Sequence, residues 1–134
     1  YLFARIMLRY YKFKFGIEIP FTTKIGPGFK ISHFGTIVFN SETVIGKNFS
    51  IHQGVTLGTS GKANEKEKAP KIGDNVYVGS GAKIIGDIKV GNNVVIGANA
   101  VVTRDIPDNS IVVGNPAKIV SKKGSKEFVD RPVD

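Results

Sequence analysis

Few side chains in this chain can move a proton, and their scarcity narrows its chemistry. Two histidines, His33 and His52, stand in the segments Ile31-Ser32-His33-Phe34-Gly35-Thr36 and Ile51-His52-Gln53-Gly54. A histidine beside a reacting hydroxyl can take its proton as a general base. There is no cysteine, which excludes a disulfide scaffold, a thiolate metal site and an acyl-cysteine intermediate. Two histidines also fall short of the three that an all-histidine zinc site needs within one chain. No metal is expected.

What positions these histidines is a repeat. Stepping by six from Ile72 reaches Val78, Ile84, Val90, Ile96 and Val102 without a slip. The same phase runs through Ile25, Ile31 and Ile37, and again through Ile45, Ile51 and Leu57. A two-residue insertion around Asn40 to Thr43 is expected between those upstream sets, and a longer polar loop near Gly61 to Pro70 before the third. A period of six fits neither a helix at 3.6 nor an endless two-faced strand. It fits short strands, each sending one aliphatic inward and followed by a tight corner, stacked as a parallel β-helix. Glycine and asparagine at the corners (Gly46, Asn48, Gly73, Asn75) supply the backbone conformations that other residues resist. His33, two positions after inward Ile31, is expected to point outward.

With 134 residues, 41% hydrophobic and 22% charged, the chain is one domain's worth and neither disordered nor a membrane bundle. The net charge of +8 comes from lysines and arginines clustered at the two ends. No nucleic-acid motif accompanies them, so nucleic acid is not an expected partner. Residues 1–16 read as a helical lead-in, 17–120 as the repeat domain with its loop at 60–70, and 121–134 as a polar tail. For the lead-in, basic and aromatic residues admit an interfacial membrane anchor, but packing as part of a larger helical N-terminus is the favoured reading. No signal peptide is visible and the cytoplasm is expected. Tyr1 in place of Met leads us to expect residues upstream.

The six-residue pattern, the phrase Gly54-Val55-Thr56-Leu57-Gly58 and the ending Gly114-Asn115-Pro116-Ala117-Lys118 together resemble the hexapeptide-repeat acyltransferases over roughly Ile17 to Val120. The resemblance implies an all-β, left-handed parallel β-helix with three hexapeptides per triangular coil, about four coils here. It also implies a homotrimer with active sites between subunits. The stretch from Lys24-Ile25-Gly26 through His33 to Gly46 resembles the catalytic segment of serine acetyltransferases without a gap. His33 falls on that family's catalytic histidine, and Glu18, fifteen residues earlier, where the family has the aspartate that orients it. The implied cofactor is acetyl-CoA as co-substrate. Its site falls on Ser80, Ala98, Thr103 and Arg104, with Arg104 and Lys118 the cations for its phosphates.

Departures from the serine enzymes bear on the acceptor. Ser32 stands where those enzymes carry a substrate-holding aspartate, and Lys68-Ala69 where they carry Arg-His before Pro70-Lys71-Ile72. His52 replaces a usual apolar residue. The pairing of His33-Phe34-Gly35 with Ile51-His52-Gln53-Gly54 looks more like the serine-acetyltransferase-like enzymes of capsule and exopolysaccharide synthesis. The expected function is therefore O-acetylation of a sugar or glycan precursor, with Ser32, His52 and Gln53 on the acceptor. The alternative is serine O-acetylation for cysteine biosynthesis. A noncatalytic trimeric scaffold is the remote third. A γ-type carbonic anhydrase shares the prism but needs three zinc histidines.

Overall fold

The computed structural model describes residues 1–65, 67–129 and 133. Its order is one helix followed by short strands that wind into a triangular prism. Helix α1 (Leu2–Phe15) ends on Gly16, whose left-handed backbone (φ 63°) lets its N–H close on the Lys12 carbonyl. The helix rests on the prism through the Phe15 and Phe34 rings, 5.4 Å apart, and exposes Leu2, Phe3, Ile6, Leu8 and Phe13. No helix among the described residues is long and apolar enough to cross a membrane.

Five coils follow. The first holds β1 (Ile17–Glu18), β2 (Lys24–Ile25) and β3 (Lys30–Ile31). The second holds β4 (Ile37–Phe39), β5 (Val44–Ile45) and β6 (Ser50–Ile51). The third holds β7 (Thr56–Gly58), β8 (Lys71–Ile72) and β9 (Tyr77–Val78), with the 3-10 turn Ala63–Glu65 in the loop between β7 and β8. The fourth holds β10 (Lys83–Ile85), β11 (Lys89–Val90) and β12 (Val95–Ile96). The fifth holds β13 (Val101–Val102), a single bridge at Ile106, and β14 (Ile111–Val113). Strand β15 (Lys118–Ser121) turns back antiparallel on β14 and covers the edge of that sheet.

The strands stack into three parallel sheets, ordered β1-β4-β7-β10-β13, β2-β5-β8-β11 and β3-β6-β9-β12-β14. Inward aliphatics lie register on register, as in Ile51 on Val78 and Val78 on Ile96. Ile51, Leu57, Val78, Ile84 and Ile96 are completely buried, each worth about 1.5–3 kcal/mol on removal from water. Near the first coils the bore is filled by a cluster of Phe29, Phe39 and Phe49, with ring centroids 5.9–6.3 Å apart. Five coils rather than about four form because Ile106 and Val112 close another turn after Val102, on a shortened step.

The two-residue insertion lies elsewhere than around Asn40 to Thr43. Phe39, not Ile37, is the partner of Leu57, while Ile37 sits on Ile17. Both Ile37 and Phe39 are buried, because each strand of this sheet has a second inward position two residues earlier (Val55, Ala82 and Ala100 in later coils). Step-counting alone cannot tell which of the two continues the column. The extra residues therefore widen the turn His33–Thr36, where Thr36 adopts a φ of 51°.

The corner between the second and third sheets, by contrast, is uniform. Asn48, Asn75, Asn93 and Asn109 all take left-handed backbones (φ 56–59°). Their side-chain amides hand hydrogen bonds from coil to coil at 2.8, 3.1 and 3.1 Å. The tail closes on this ladder: the Ser125 hydroxyl donates to the Asn75 carbonyl, and the Val133 N–H donates to the Asn48 side-chain oxygen at 2.7 Å.

Candidate functional site

The candidate residues gather where the third sheet turns into the first. Because Ile31, Ile51, Val78 and Ile96 are paired in register, the residues that follow them form columns along that corner. Ser32, His52, Gly79 and Gly97 make one; His33, Gln53, Ser80 and Ala98 make the next. Backbone bonds hold the columns in place: Ser32 N–H to Ile51 at 2.9 Å, Gly81 N–H to Gln53 at 2.9 Å, and Asn99 N–H to Ser80 at 2.9 Å. The glycines are dictated by the close approach. A Cβ on Gly79 would stand 2.6 Å from the Ala98 nitrogen, and one on Gly97 would meet Val113 at 2.8 Å. The corner above the histidines is consequently a strip of glycine and small side chains.

His33 is exposed, as its outward position required, and its ring centroid lies 6.0 Å from that of His52. His52 is part-buried, with Nδ1 3.2 Å from the Val78 carbonyl and its ring 5.1 Å from Tyr77 in an edge-on contact. Phe128 of the tail backs Tyr77 at 5.4 Å. Tyr77 was missed in the sequence; its one signal is an aromatic residue on the solvent side of a strand immediately before inward Val78. Also missed was Lys83, whose ammonium donates to the Gly54 carbonyl beside this turn.

Glu18 sits on the first sheet, paired with Val38. Its carboxylate accepts from the Lys12 ammonium at 2.7 Å, and both side chains are about half exposed. Among the described residues no hydrogen bond or ion pair joins Glu18 to His33. The coenzyme candidates fall into two groups. Ser80 and Ala98 share the histidine corner, whereas Thr103, Arg104 and Lys118 line one cavity of about 190 Å³ at the far end of β13. Lys68 and buried Ala69 border the loop, where Lys68 reaches Asp87 at 4.0 Å. Within the loop the Ser60 hydroxyl donates to Glu65, which, with Lys62 and Lys68 nearby, holds that carboxyl below its ordinary value.

Comparison with known proteins places this architecture. Residues 69–104 match the model of the bacterial transferase hexapeptide (six repeats). The chain is 45% identical over 124 residues to a serine acetyltransferase of Staphylococcus aureus, spanning 92% of this chain and 58% of the relative. A serine acetyltransferase of Staphylococcus epidermidis is 44% identical over 126 residues, 94% of this chain and 59% of its own. This chain therefore spans less than two thirds of the curated relatives it matches. Among crystal structures, serine acetyltransferase from Brucella abortus in complex with coenzyme A superposes with a TM-score of 0.74 at 38% identity, covering 78% of this chain and 42% of that one. The enzyme from Neisseria gonorrhoeae gives 0.70 at 43% identity, covering 78% and 39%. The likeness extends to the hand of the winding, which is left-handed. In repeat, in prism and in these likenesses, the chain is a hexapeptide-repeat left-handed β-helix similar to the serine acetyltransferases.

Proposed function

We propose that this β-helix carries out O-acetyl transfer from acetyl-CoA to an acceptor hydroxyl, with His33 as general base. The observation that carries the reading is the exposed His33 in a widened turn, next to a strip of Gly79, Gly97, Ser80 and Ala98 along which a thin pantetheine chain can lie. His33 takes the proton of the acceptor hydroxyl as its oxygen attacks the thioester carbonyl. Backbone N–H groups of the corner stabilise the oxyanion, and the carbon–sulfur bond breaks to release coenzyme A, which receives the proton. Thr103, Arg104 and Lys118 are the cationic and polar groups we assign to its phosphates. Glu18 is the assigned orienting carboxylate. Its exposed pair with Lys12 is worth at most about 1 kcal/mol, a small cost to exchange for a histidine N–H. Exposed Val38, Val44, Val113, Ile119 and Val120 on the outer faces support assembly as a trimer, with sites between subunits. Action in the cytoplasm accords with acetyl-CoA as donor.

For the acceptor, the likenesses favour L-serine, the alternative of the sequence reading, over the sugar expected first. A sugar hydroxyl remains the second reading on one specific observation. The positions that depart from the serine enzymes, Ser32 and Lys68-Ala69, leave the histidine corner without most of the charged groups that would hold an amino acid.

The test is thiol release from acetyl-CoA by wild type and His33→Ala, with L-serine, hexoses, aminosugars and oligosaccharides as separate acceptors. Loss of a general base lowers turnover by about 10²–10⁴. Equal release by the two proteins would defeat the assignment of His33. An absence of both release and acetyl-CoA binding would point to a scaffold instead.

A further inference from the structure

Of the two histidines, His52 is the better held. Its Nδ1 faces the Val78 carbonyl at 3.2 Å. A carbonyl can only accept, so Nδ1 carries the ring proton, and in the neutral imidazole Nε2 is left as a bare acceptor. Tyr77 packs edge-on against the ring and Phe128 packs behind Tyr77, so the ring is braced on one side while His33 lies on the other. Among the described residues nothing in the chain donates to Nε2. The two histidine ring centroids lie 6.0 Å apart, close enough for neighbouring groups of one small acceptor to meet both rings.

We propose that His52 determines acceptor specificity: its Nε2 accepts a hydrogen bond from a second, uncharged hydroxyl adjacent to the one that His33 deprotonates. This rests on the transfer reading above with its second acceptor, the sugar hydroxyl, and names the substrate class as a polyhydroxyl acceptor with neighbouring hydroxyls. The two columns of the corner hold Ser32, His52, Gln53, Ser80 and Ala98 beside His33, none of them a carboxylate or a cation. With Glu18 assigned to the His33 ring, an ammonium brought there loses water without a carboxylate of its own, which is costly. A hydroxyl instead satisfies the fixed lone pair. Sites built to bond a particular hydroxyl strongly reject analogues that lack it.

The full chain is assayed for thiol release with a panel of methyl hexopyranosides, each beside its monodeoxy analogues, and with L-serine. In wild type, removing the hydroxyl next to the acetylated position should lower kcat/KM at least tenfold. His52→Phe, which keeps a ring against Tyr77 but has no ring nitrogen, should bring the intact glycoside down to the deoxy level through KM. The deoxy acceptor should be unaffected. An equal loss on both acceptors would assign His52 to packing and overturn the proposal. So would L-serine as the best acceptor in a His33-dependent reaction, though that leaves the transfer reading standing. Nitrogen–proton NMR of the His52 ring reads the site without turnover. A shift of Nε2 on adding the intact glycosides, absent with the deoxy analogues, supports the assignment; no shift with any acceptor overturns it whether or not transfer occurs.

Discussion

Replacing Gly73 by alanine tests how tightly the coils stack. Gly73 has no left-handed backbone; the demand is for space. A Cβ there would lie 2.8 Å from the carbonyl carbon and oxygen of Gly91 and 2.4 Å from the Asn92 side-chain oxygen. Reaching ordinary contact at 3.4 Å requires the fourth coil to move by about 0.6 Å in an interior packed like an organic crystal. That overpacking costs about 1–3 kcal/mol. The bonds from Gly73 N–H to Val90 at 2.8 Å and from Lys71 N–H to Ile88 at 2.9 Å must lengthen with it, at about 1 kcal/mol each if lost. We expect a loss of roughly 3–4 kcal/mol, or about 12 °C in Tm for a chain of this size. Gly61→Ala is the control, since its Cβ meets nothing within 4 Å and only its φ of 79° is strained. That strain costs about 1–2 kcal/mol. Urea unfolding followed by circular dichroism, at one fixed protomer concentration, compares them. Equal losses for the two variants would show that the coils are free to separate.

Leu57→Ala, at a fully buried position between Phe39 and Ile84, should cost about 2–5 kcal/mol in the same unfolding experiment. Asn75→Ala breaks the amide ladder on both sides of one coil. It should destabilise by about 2–3 kcal/mol, with Asn75→Gly recovering the backbone part of the loss. Glu18→Gln should lower kcat with little change in stability, whereas Lys12→Ala should leave kcat intact. Matching losses in kcat would mean that the Lys12 pair, and not His33, is what Glu18 serves. Because the carboxyl of Glu65 is held below its ordinary value chiefly by Ser60, its support of the loop is present above that value. The support is lost as pH falls through the lowered one. Proteolytic nicking of residues 61–68 should therefore rise for wild type only below the ordinary carboxylate value, and already at neutral pH for Glu65→Gln.

Much of the prism was legible because its core is simple. Ile72, Val78, Ile84, Val90, Ile96 and Val102 recur at one spacing, and in the structure the pairs Ile72–Val90, Val78–Ile96 and Ile84–Val102 lie in register. What resisted reading was ambiguity between two inward positions of the same strand. Ile37 keeps the six-residue step but Phe39 keeps the register, and hydrophobicity cannot separate them. The fifth coil was hidden for a related reason, since Ile106 follows Val102 after four residues and forms only a bridge. At the candidate site, the outward direction of His33 followed from the repeat, and its candidacy from the family resemblance. The Lys12 partner of Glu18 did not, because it depends on how α1 lies against β1. Nor did Tyr77 and Phe128, which meet only because the tail folds back over the third sheet.

The three edges of the prism have very different tolerance for length. Along the asparagine edge every passage takes six residues, from Ile25 to Ile31 in the first coil through to Ile106 to Val112 in the last. The opposite edges stretch: one holds the segment from Gly58 to Lys71, the other the turn from Ile31 to Phe39. The asparagine edge thus works as a spine, and the other two as sites where sequence can be exchanged without rethreading the core. A protein built this way can change the partner it recognises by swapping surface turns while the bore and its register stay fixed. For protein engineering, the same division marks the 59–70 segment as a display position and the spine as untouchable.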